Sequence, residues 1–141
     1  MIEHSCYHDY NTVNVPAAEL EKLAKSIKRV RSEYDKNKTA EMAYLKSVNY
    51  NFYKGSKDAT INARIDEFND VTKKLDARFT RAIKRFASKF ADDDMPADVI
   101  YELITSNGGF DWTIDHALNA INDFKADSNR IRYDAREFFF F

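Results

Sequence analysis

The stretch DATINARIDEFNDVTKKLDARFTRAIKRFASKF, residues 58–90, carries mostly apolar seam residues that recur every three or four positions. The seam comprises Ile61, Ile65, Phe68, Thr72, Leu75, Phe79, Ala82 and Phe86. This spacing predicts one long amphipathic helix from about Asp58 to Phe90. At about 1.5 Å per residue the helix would span roughly 50 Å, so we expect part of its seam to contact a second copy of the chain.

Two helices with the same spacing are expected before this stretch. Leu20, Leu23, Ile27, Val30 and Tyr34 form the seam of the first, and Met42, Leu45, Val48 and Phe52 lie on the buried face of the second. Pro16 suits the first turn of the first helix, and Lys36-Asn37-Lys38 is its expected end. Thr39 is the expected cap of the second helix, and Gly55 its end. The two helices should therefore pair as a helical hairpin.

Two shorter helices are expected after Asp92-Asp93-Asp94 interrupts the long one. Their buried residues would be Val99, Ile100, Leu103 and Ile104 in the first, then Ile114, Leu118, Ile121 and Phe124 in the second. Met95-Pro96 opens the first of these helices, Asn107-Gly108-Gly109 stops it, and the second begins at about Asp111.

The two ends of the chain leave two structures open. Residues 10–15 and 130–133 are rich enough in β-branched and aromatic residues to pair as a small two-stranded ribbon, whereas a last helix through Phe141 competes with it. We favour the helix. The predicted fold is mainly α, a helical bundle with a long central helix and a smaller C-terminal lobe. Residues 1–141 form a single domain, with long basic helices over 16–91 and an acidic helical lobe with an aromatic tail over 92–141.

The composition fits one globular domain and excludes several classes of protein. Of 141 residues, 44% are hydrophobic and 32% are charged, which argues against a disordered or collagen-like chain. The single Cys6 forms no intrachain disulfide, which fits a reducing compartment and an expected cytoplasmic location. The start, MIEHSCYHDY, lacks the basic and apolar regions of a secretion signal, and no apolar stretch approaches the roughly 20 residues of a membrane span. We therefore expect no membrane partner.

Charge is distributed unevenly although the formal net charge is −1. Residues 16–90 contain eighteen Lys and Arg against ten Asp and Glu, a balance of +8, whereas residues 91–129 contain one Lys against nine acidic residues, a balance of −8. On a helical wheel, a basic stripe lies beside each of two seams: Lys22, Lys25, Arg29 and Lys36 in the first helix, and Lys74, Arg78, Arg81, Arg85 and Lys89 in the third. We expect these stripes to bind phosphates or an acidic partner.

Two simpler interpretations of the basic stripes stay open. Charged residues beside a seam are commonly the solvated face of a helix. Alternatively, acidic residues of the same or a neighbouring chain lie against a basic stripe and neutralise its charge. These acidic residues are Asp92, Asp93, Asp94, Asp98 and Glu102.

Aromatic residues supply two further candidate contacts. Tyr44, Tyr50 and Tyr53 lie near lysines, an arrangement suited to stacking on unpaired bases. The terminal Phe138, Phe139, Phe140 and Phe141 cannot all face one side of a helix or strand. They are expected either to dock on the core or to anchor another protein.

Candidate catalytic and metal-binding residues are few. His4, Cys6 and His8 alternate and would converge on zinc in an extended segment. A fourth ligand would have to come from Glu3, Asp9 or a distant residue, and the usual paired spacing is absent, so a frayed terminus is favoured. The run Asp92–Asp94 is better explained as a helix cap than as a magnesium site. We predict no catalytic residue, no metal and no cofactor.

The adjacent pair of Asp115 and His116 is a candidate for acid–base chemistry. Neighbouring positions on a helix point about 100° apart, so these two side chains do not share a face and a surface histidine is favoured. No nucleophile elbow, phosphate-binding loop or dinucleotide fingerprint is present in the sequence.

The last third of the chain loosely resembles a ubiquitin-associated three-helix domain. The resemblance rests on Gly109-Phe110, Ala117, Ala120-Ile121, Asn129, Ile131 and Ala135. It implies a protein-binding surface at the Gly109-Phe110 loop. The spacing departs from that family between Ile121 and Asn129, so we do not assign the chain to it.

The expected function is that of a non-enzymatic helical binding protein that occupies a surface of a larger protein or nucleoprotein complex. Small size and abundant Asn, Asp, Lys, Phe and Tyr are similar in character to phage or mobile-element accessory proteins, which suggests a viral inhibitor acting in a host cytoplasm. The first alternative is nucleic-acid binding through the basic stripes and the tyrosines. The second is a metal-dependent hydrolase that uses His4, His8 or the Asp92–Asp94 run.

Overall fold

Four helices and a two-stranded ribbon make up the computed structural model, which describes residues 10–105 and 110–134. In chain order the elements are β1 (Tyr10–Asn14), α1 (Ala17–Ser47), α2 (Ala59–Phe90), α3 (Ala97–Thr105), α4 (Phe110–Ala126) and β2 (Arg130–Asp134). The predicted mainly helical fold is confirmed, and the ribbon, which was the less favoured alternative for the chain ends, is present. No described helix is long and apolar enough to cross a membrane.

Helix α1 is one continuous helix of 31 residues, so the predicted break at Lys36-Asn37-Lys38 is wrong. Lysine, asparagine and threonine are tolerated inside a helix, and neither glycine nor proline occurs within α1. Asn37 links the two long helices instead of ending one: its side-chain amide donates to the Phe68 carbonyl at 3.1 Å and to Thr72 Oγ1 at 3.2 Å. The predicted second helix is therefore the distal part of α1, and it ends at Ser47 rather than at Gly55.

Helix α2 occupies nearly the residues predicted for it. The Asp58 carboxylate accepts hydrogen bonds from the backbone N–H groups of Thr60 and Ile61, which satisfies two donors at the start of the helix. Phe68, Leu75, Phe79 and Phe86 of the predicted seam are buried. Ile83 is fully buried, whereas the predicted seam residue Ala82 is only half-buried.

The two long helices run antiparallel and pack on each other. Because α1 is almost as long as α2, it supplies within one chain the companion that we expected from a second copy. The length of α2 is therefore no longer a reason to expect self-association.

The four helices close a ring in which α1 contacts α2, α2 contacts α3, α3 contacts α4 and α4 contacts α1. The largest fully buried side chains at its centre are Leu20, Ile27, Phe79, Ile83, Met95, Ile100, Ile104, Ile114, Ile121 and Ile131. In α1 this core extends only from Leu20 to Val30, with Tyr34 packed against it, and in α2 only from Leu75 to Ala87, with Phe90 packed against it.

The remaining halves of α1 and α2 project from the bundle as a two-helix arm, residues 35–74. Leu45 and Phe68 are buried inside this arm and do not belong to the main core. About thirteen residues of α1 lie beyond the core, which makes the arm roughly 20 Å long. The arm thus carries the turn between α1 and α2 well away from the bundle.

The chain ends form the ribbon rather than the favoured last helix, which is wrong for residues 130–134. Strands β1 and β2 are antiparallel, and their register pairs Tyr10 with Asp134 and Asn14 with Arg130. Ser128 and Asn129 adopt positive φ and end the helical run, after which Ile131 and Tyr133 face the core. Ile131 therefore lies in a strand, which removes the third helix that the resemblance to a ubiquitin-associated domain requires.

Candidate functional site

The basic stripes of the two long helices meet along one groove. Its cationic lining comprises Lys22 and Arg29 from α1 and Arg78, Arg81, Arg85 and Lys89 from α2. The groove contains two adjoining cavities of about 210 Å³ and about 260 Å³, which share Ser26, Ala82 and Arg85. Lys25, Lys36 and Lys74 are exposed and do not line these cavities. Six of the nine predicted basic residues are thus brought to one surface.

The groove exists because small side chains face each other at its middle. Ser26 of α1 and Ala82 of α2 are half-buried, and Ile27, Val30 and Phe79 line the cavity beneath them. Because Ser26 and Ala82 are small, a space stays open between α1 and α2 at this point. The cations of α1 lie on one side of this space and those of α2 on the other. From Arg78 to Lys89 the groove runs along eleven residues, or about 16 Å.

Ion pairs between the two helices hold both ends of the groove. Lys89 Nζ donates to Glu19 Oε1 at 2.6 Å, and Arg78 pairs with Glu33 at 2.8 Å. The hydrogen bond from Lys89 lowers the pKa of Glu19 and is the largest effect; desolvation opposes it, and the charges of Lys89 and Lys22 lower the pKa further. Both glutamates are therefore counter-ions that bridge the antiparallel helices α1 and α2.

The centre of the groove keeps an excess of positive charge. Lys22, Arg29, Arg81 and Arg85 form no ion pair with any residue in the described ranges. Six cations against two paired glutamates leave a local balance of +4. Such a row of cations in a concave surface attracts polyanions and concentrates them near the protein.

The acidic residues expected to neutralise this stripe do not reach it. None of Asp92, Asp93, Asp94, Asp98 and Glu102 forms an ion pair with a described basic residue. Helix α3 packs on another side of α2, where Lys84 lies over the Tyr101 ring at 5.7 Å. Among the described residues, the acidic lobe therefore makes no direct ion pair with the groove cations, whose ion-pair partners there are Glu19 and Glu33.

Charged residues of the acidic lobe instead form ion pairs between α4 and α1 and hydrogen bonds within turns. Asp115 pairs with Arg31, and Lys125 pairs with Glu21, whose pKa is lowered chiefly by this hydrogen bond. Asp115 is thus committed to Arg31, while His116 Nε2 lies 3.4 Å from the Leu103 carbonyl oxygen. The pair does not form an acid–base couple.

The Asp92–Asp94 run stabilises the connection between α2 and α3. Asp92 Oδ1 accepts from the backbone N–H groups of Asp94 at 3.0 Å and Met95 at 2.7 Å. Because α3 begins at Ala97, this carboxylate caps the preceding turn and not the helix, which corrects the predicted cap. Among the described residues no group of three potential metal ligands occurs, and His4, Cys6 and His8 lie outside the described ranges.

The three candidate tyrosines do not line the basic groove. Tyr44 is half-buried beside Phe68, and the Arg64 guanidinium lies 5.7 Å from its ring centre, so its face is already occupied. Tyr50 packs edge-on against Phe52 with the ring centres 5.2 Å apart, and Tyr53 is fully exposed. The nineteen helical residues between Ala59 and Arg78 place the end of the arm about 29 Å from the groove.

Two features of these surfaces differ from what the sequence predicts. Met42 and Phe52 were expected to be buried, yet they are 48% and 65% exposed. Glu19 and Glu33 were not recognised as counter-ions, although they lie three before Lys22 and four after Arg29 on the same helix face. The predicted contact residues Phe138, Phe139, Phe140 and Phe141 lie outside the described residues.

Comparisons with protein-family models, curated proteins and solved structures gave no match for this chain.

Proposed function

We propose that this chain is a non-enzymatic binding protein and that the groove between α1 and α2 binds the phosphate backbone of a nucleic acid. The observation that supports this most strongly is the convergence of six cations on one groove, four of them without an ion pair among the described residues. A nucleic acid within a nucleoprotein complex would satisfy the same chemistry.

The kind of cation suits phosphate as the ligand. Arg29, Arg81 and Arg85 make up three of the four unpaired groups, and a guanidinium presents a planar fork of donors that matches two phosphate oxygens. Contacts to phosphate position a nucleic acid without reading its sequence. We therefore expect binding with little sequence preference and a strong dependence on salt.

The test compares two double variants with the same change in net charge. Arg81→Gln/Arg85→Gln removes two groove cations, whereas Lys38→Gln/Lys73→Gln removes two exposed lysines that do not line the groove. Fluorescence anisotropy with a labelled strand and a duplex of about 20 nucleotides would measure their affinities. The groove variant should bind at least about tenfold more weakly than wild type, and the control within about twofold.

An acidic polypeptide of matched charge, such as poly-glutamate, serves as the competing ligand. Equal affinity losses in the two variants would contradict the proposal, as would the absence of binding to both nucleic acids. Binding of wild type to poly-glutamate alone would replace it with an acidic protein surface as the partner.

A further inference from the structure

The end of the arm presents two neighbouring aromatic side chains to solvent. Phe52 is 65% exposed and Tyr53 is 100% exposed. Both belong to the tip, which we define as residues 49–57 between α1 and α2. Adjacent exposed aromatic rings are unusual on a protein surface and commonly mark an interaction site.

The backbone of the tip holds these rings outward in a defined turn. Asn51 Oδ1 accepts from the N–H groups of Tyr53 at 2.9 Å and Lys54 at 3.0 Å, and Gly55 N–H donates to the Asn51 carbonyl at 2.8 Å. Gly55 has φ +69°, a conformation that glycine adopts without strain. Since the turn is closed by its own hydrogen bonds, ligand binding requires little further ordering of the backbone.

The charge around the rings is positive. No acidic residue occurs from Asn49 to Lys57, while Lys54 and Lys57 are both exposed. The neighbouring Asp58 carboxylate is engaged by the first backbone N–H groups of α2. The tip therefore combines flat apolar faces with cations, the pair of features that unpaired bases and their phosphates require.

We infer that the tip is a second contact site for the same nucleic acid and that Phe52 and Tyr53 stack on unpaired bases; this rests on the proposed function of the groove. Tyr50 packs against Phe52 and supports it from one side, while Tyr53 keeps both faces accessible. Because stacking requires unpaired bases, the expected ligand is a nucleic acid with a single-stranded segment. A continuous duplex would offer the groove its phosphates but would offer the tip no bases.

The distance between the sites sets the length of strand that reaches both. The groove spans about 16 Å and the tip lies about 29 Å beyond it, roughly 45 Å in all. At about 3.4 Å per stacked nucleotide, this length corresponds to about 13 nucleotides. Strands longer than this should gain affinity from simultaneous contact with both sites, whereas strands of about six nucleotides should bind one site at a time.

The experiment uses Phe52→Ser/Tyr53→Ser in the full chain, with Val71→Ser as a control that removes another exposed apolar side chain from the arm. Anisotropy titrations would compare oligothymidine of about 20 and about six nucleotides with a blunt duplex of about 20 base pairs. We expect the tip variant to lose at least about fivefold in affinity for the long strand, with changes within about twofold for the duplex. The control should match wild type, and circular dichroism should show unchanged helicity for both variants.

The outcomes separate this inference from the function on which it rests. If the tip variant binds the long strand like wild type while Arg81→Gln/Arg85→Gln loses affinity, the tip inference is overturned and the groove proposal stands. If the groove variant binds every ligand like wild type, the groove proposal fails. An equal loss of duplex and single-strand binding in the tip variant would also overturn base stacking.

Discussion

Neutralising Arg81 and Arg85 should change the salt dependence of binding by an amount that the structure sets. Each phosphate contact contributes about −0.7 to the slope of log affinity against log salt for a single strand. The four unpaired cations of the groove therefore predict a slope of about −2.8, and the double variant Arg81→Gln/Arg85→Gln predicts about −1.4. With the two lines meeting at about 1 M salt, the difference in slope corresponds to about tenfold weaker binding at about 200 mM salt and about 60-fold weaker binding at about 50 mM.

Anisotropy titrations between these salt concentrations would measure both slopes. The variant Lys38→Gln/Lys73→Gln carries the same net charge, so it separates local contact from the general attraction of a positive protein. Its log affinity should fall with log salt at the same slope as that of wild type. If the groove variant shows the same slope as wild type, the cations of the groove do not contact phosphates and the proposed binding site is wrong.

Three further predictions concern the groove, the arm and the attachment of α4. Ala82→Leu should weaken nucleic-acid binding severalfold at unchanged net charge, because the larger side chain fills the space between the cation rows; wild-type affinity in titrations would count against a ligand seated there. Asn37→Ala should lower the free energy of unfolding in urea by about 1 kcal/mol, since the bonds to the Phe68 carbonyl and Thr72 are lost; an unchanged midpoint would show that they contribute nothing. Because Lys125 lowers the pKa of Glu21, the stabilisation by this carboxylate is present above its ordinary pKa and disappears as pH falls through the lowered value. The melting temperature of wild type should thus fall more steeply below about pH 4.3 than that of Glu21→Gln, and parallel curves would contradict this.

The long helices could be predicted where the apolar spacing and the capping residues indicate the same boundaries. They could not be predicted where a contact with another helix determines whether the helix continues. Helix α2 combines a regular seam with a capping Asp58, so its course and its start are encoded locally. Helix α1 was divided at Asn37 because the run Lys36-Asn37-Lys38 looks like a helix end. The amide of Asn37 instead finds partners on α2, which the spacing of residues in α1 does not reveal.

The ribbon also depends on a tertiary contact that the local sequence does not reveal, here between residues far apart in the chain. Ile131 pairs with Val13, more than one hundred residues earlier in the chain. Local propensity leaves residues 130–134 undecided between strand and helix, and the pairing partner makes the choice.

The candidate site was predicted in part. Helical periodicity correctly placed Arg78 and Arg85 beside the buried seam of α2. It did not predict that α1 would bring its own cations to the same groove, because this depends on the antiparallel register and on the small residues Ser26 and Ala82. The origin in a phage or mobile element, the inhibitory role and self-association stay predictions from composition and periodicity.

Lysine footprinting would report where a nucleic acid lies on the protein. The chain would be acetylated with and without a saturating strand of about 20 nucleotides, and the modified lysines would be quantified by mass spectrometry. A ligand in the groove should protect Lys22 and Lys89, which line it, and leave Lys38 and Lys73 as reactive as in the free protein. Equal protection of all four lysines, or protection of Lys38 and Lys73 alone, would contradict a binding site between α1 and α2.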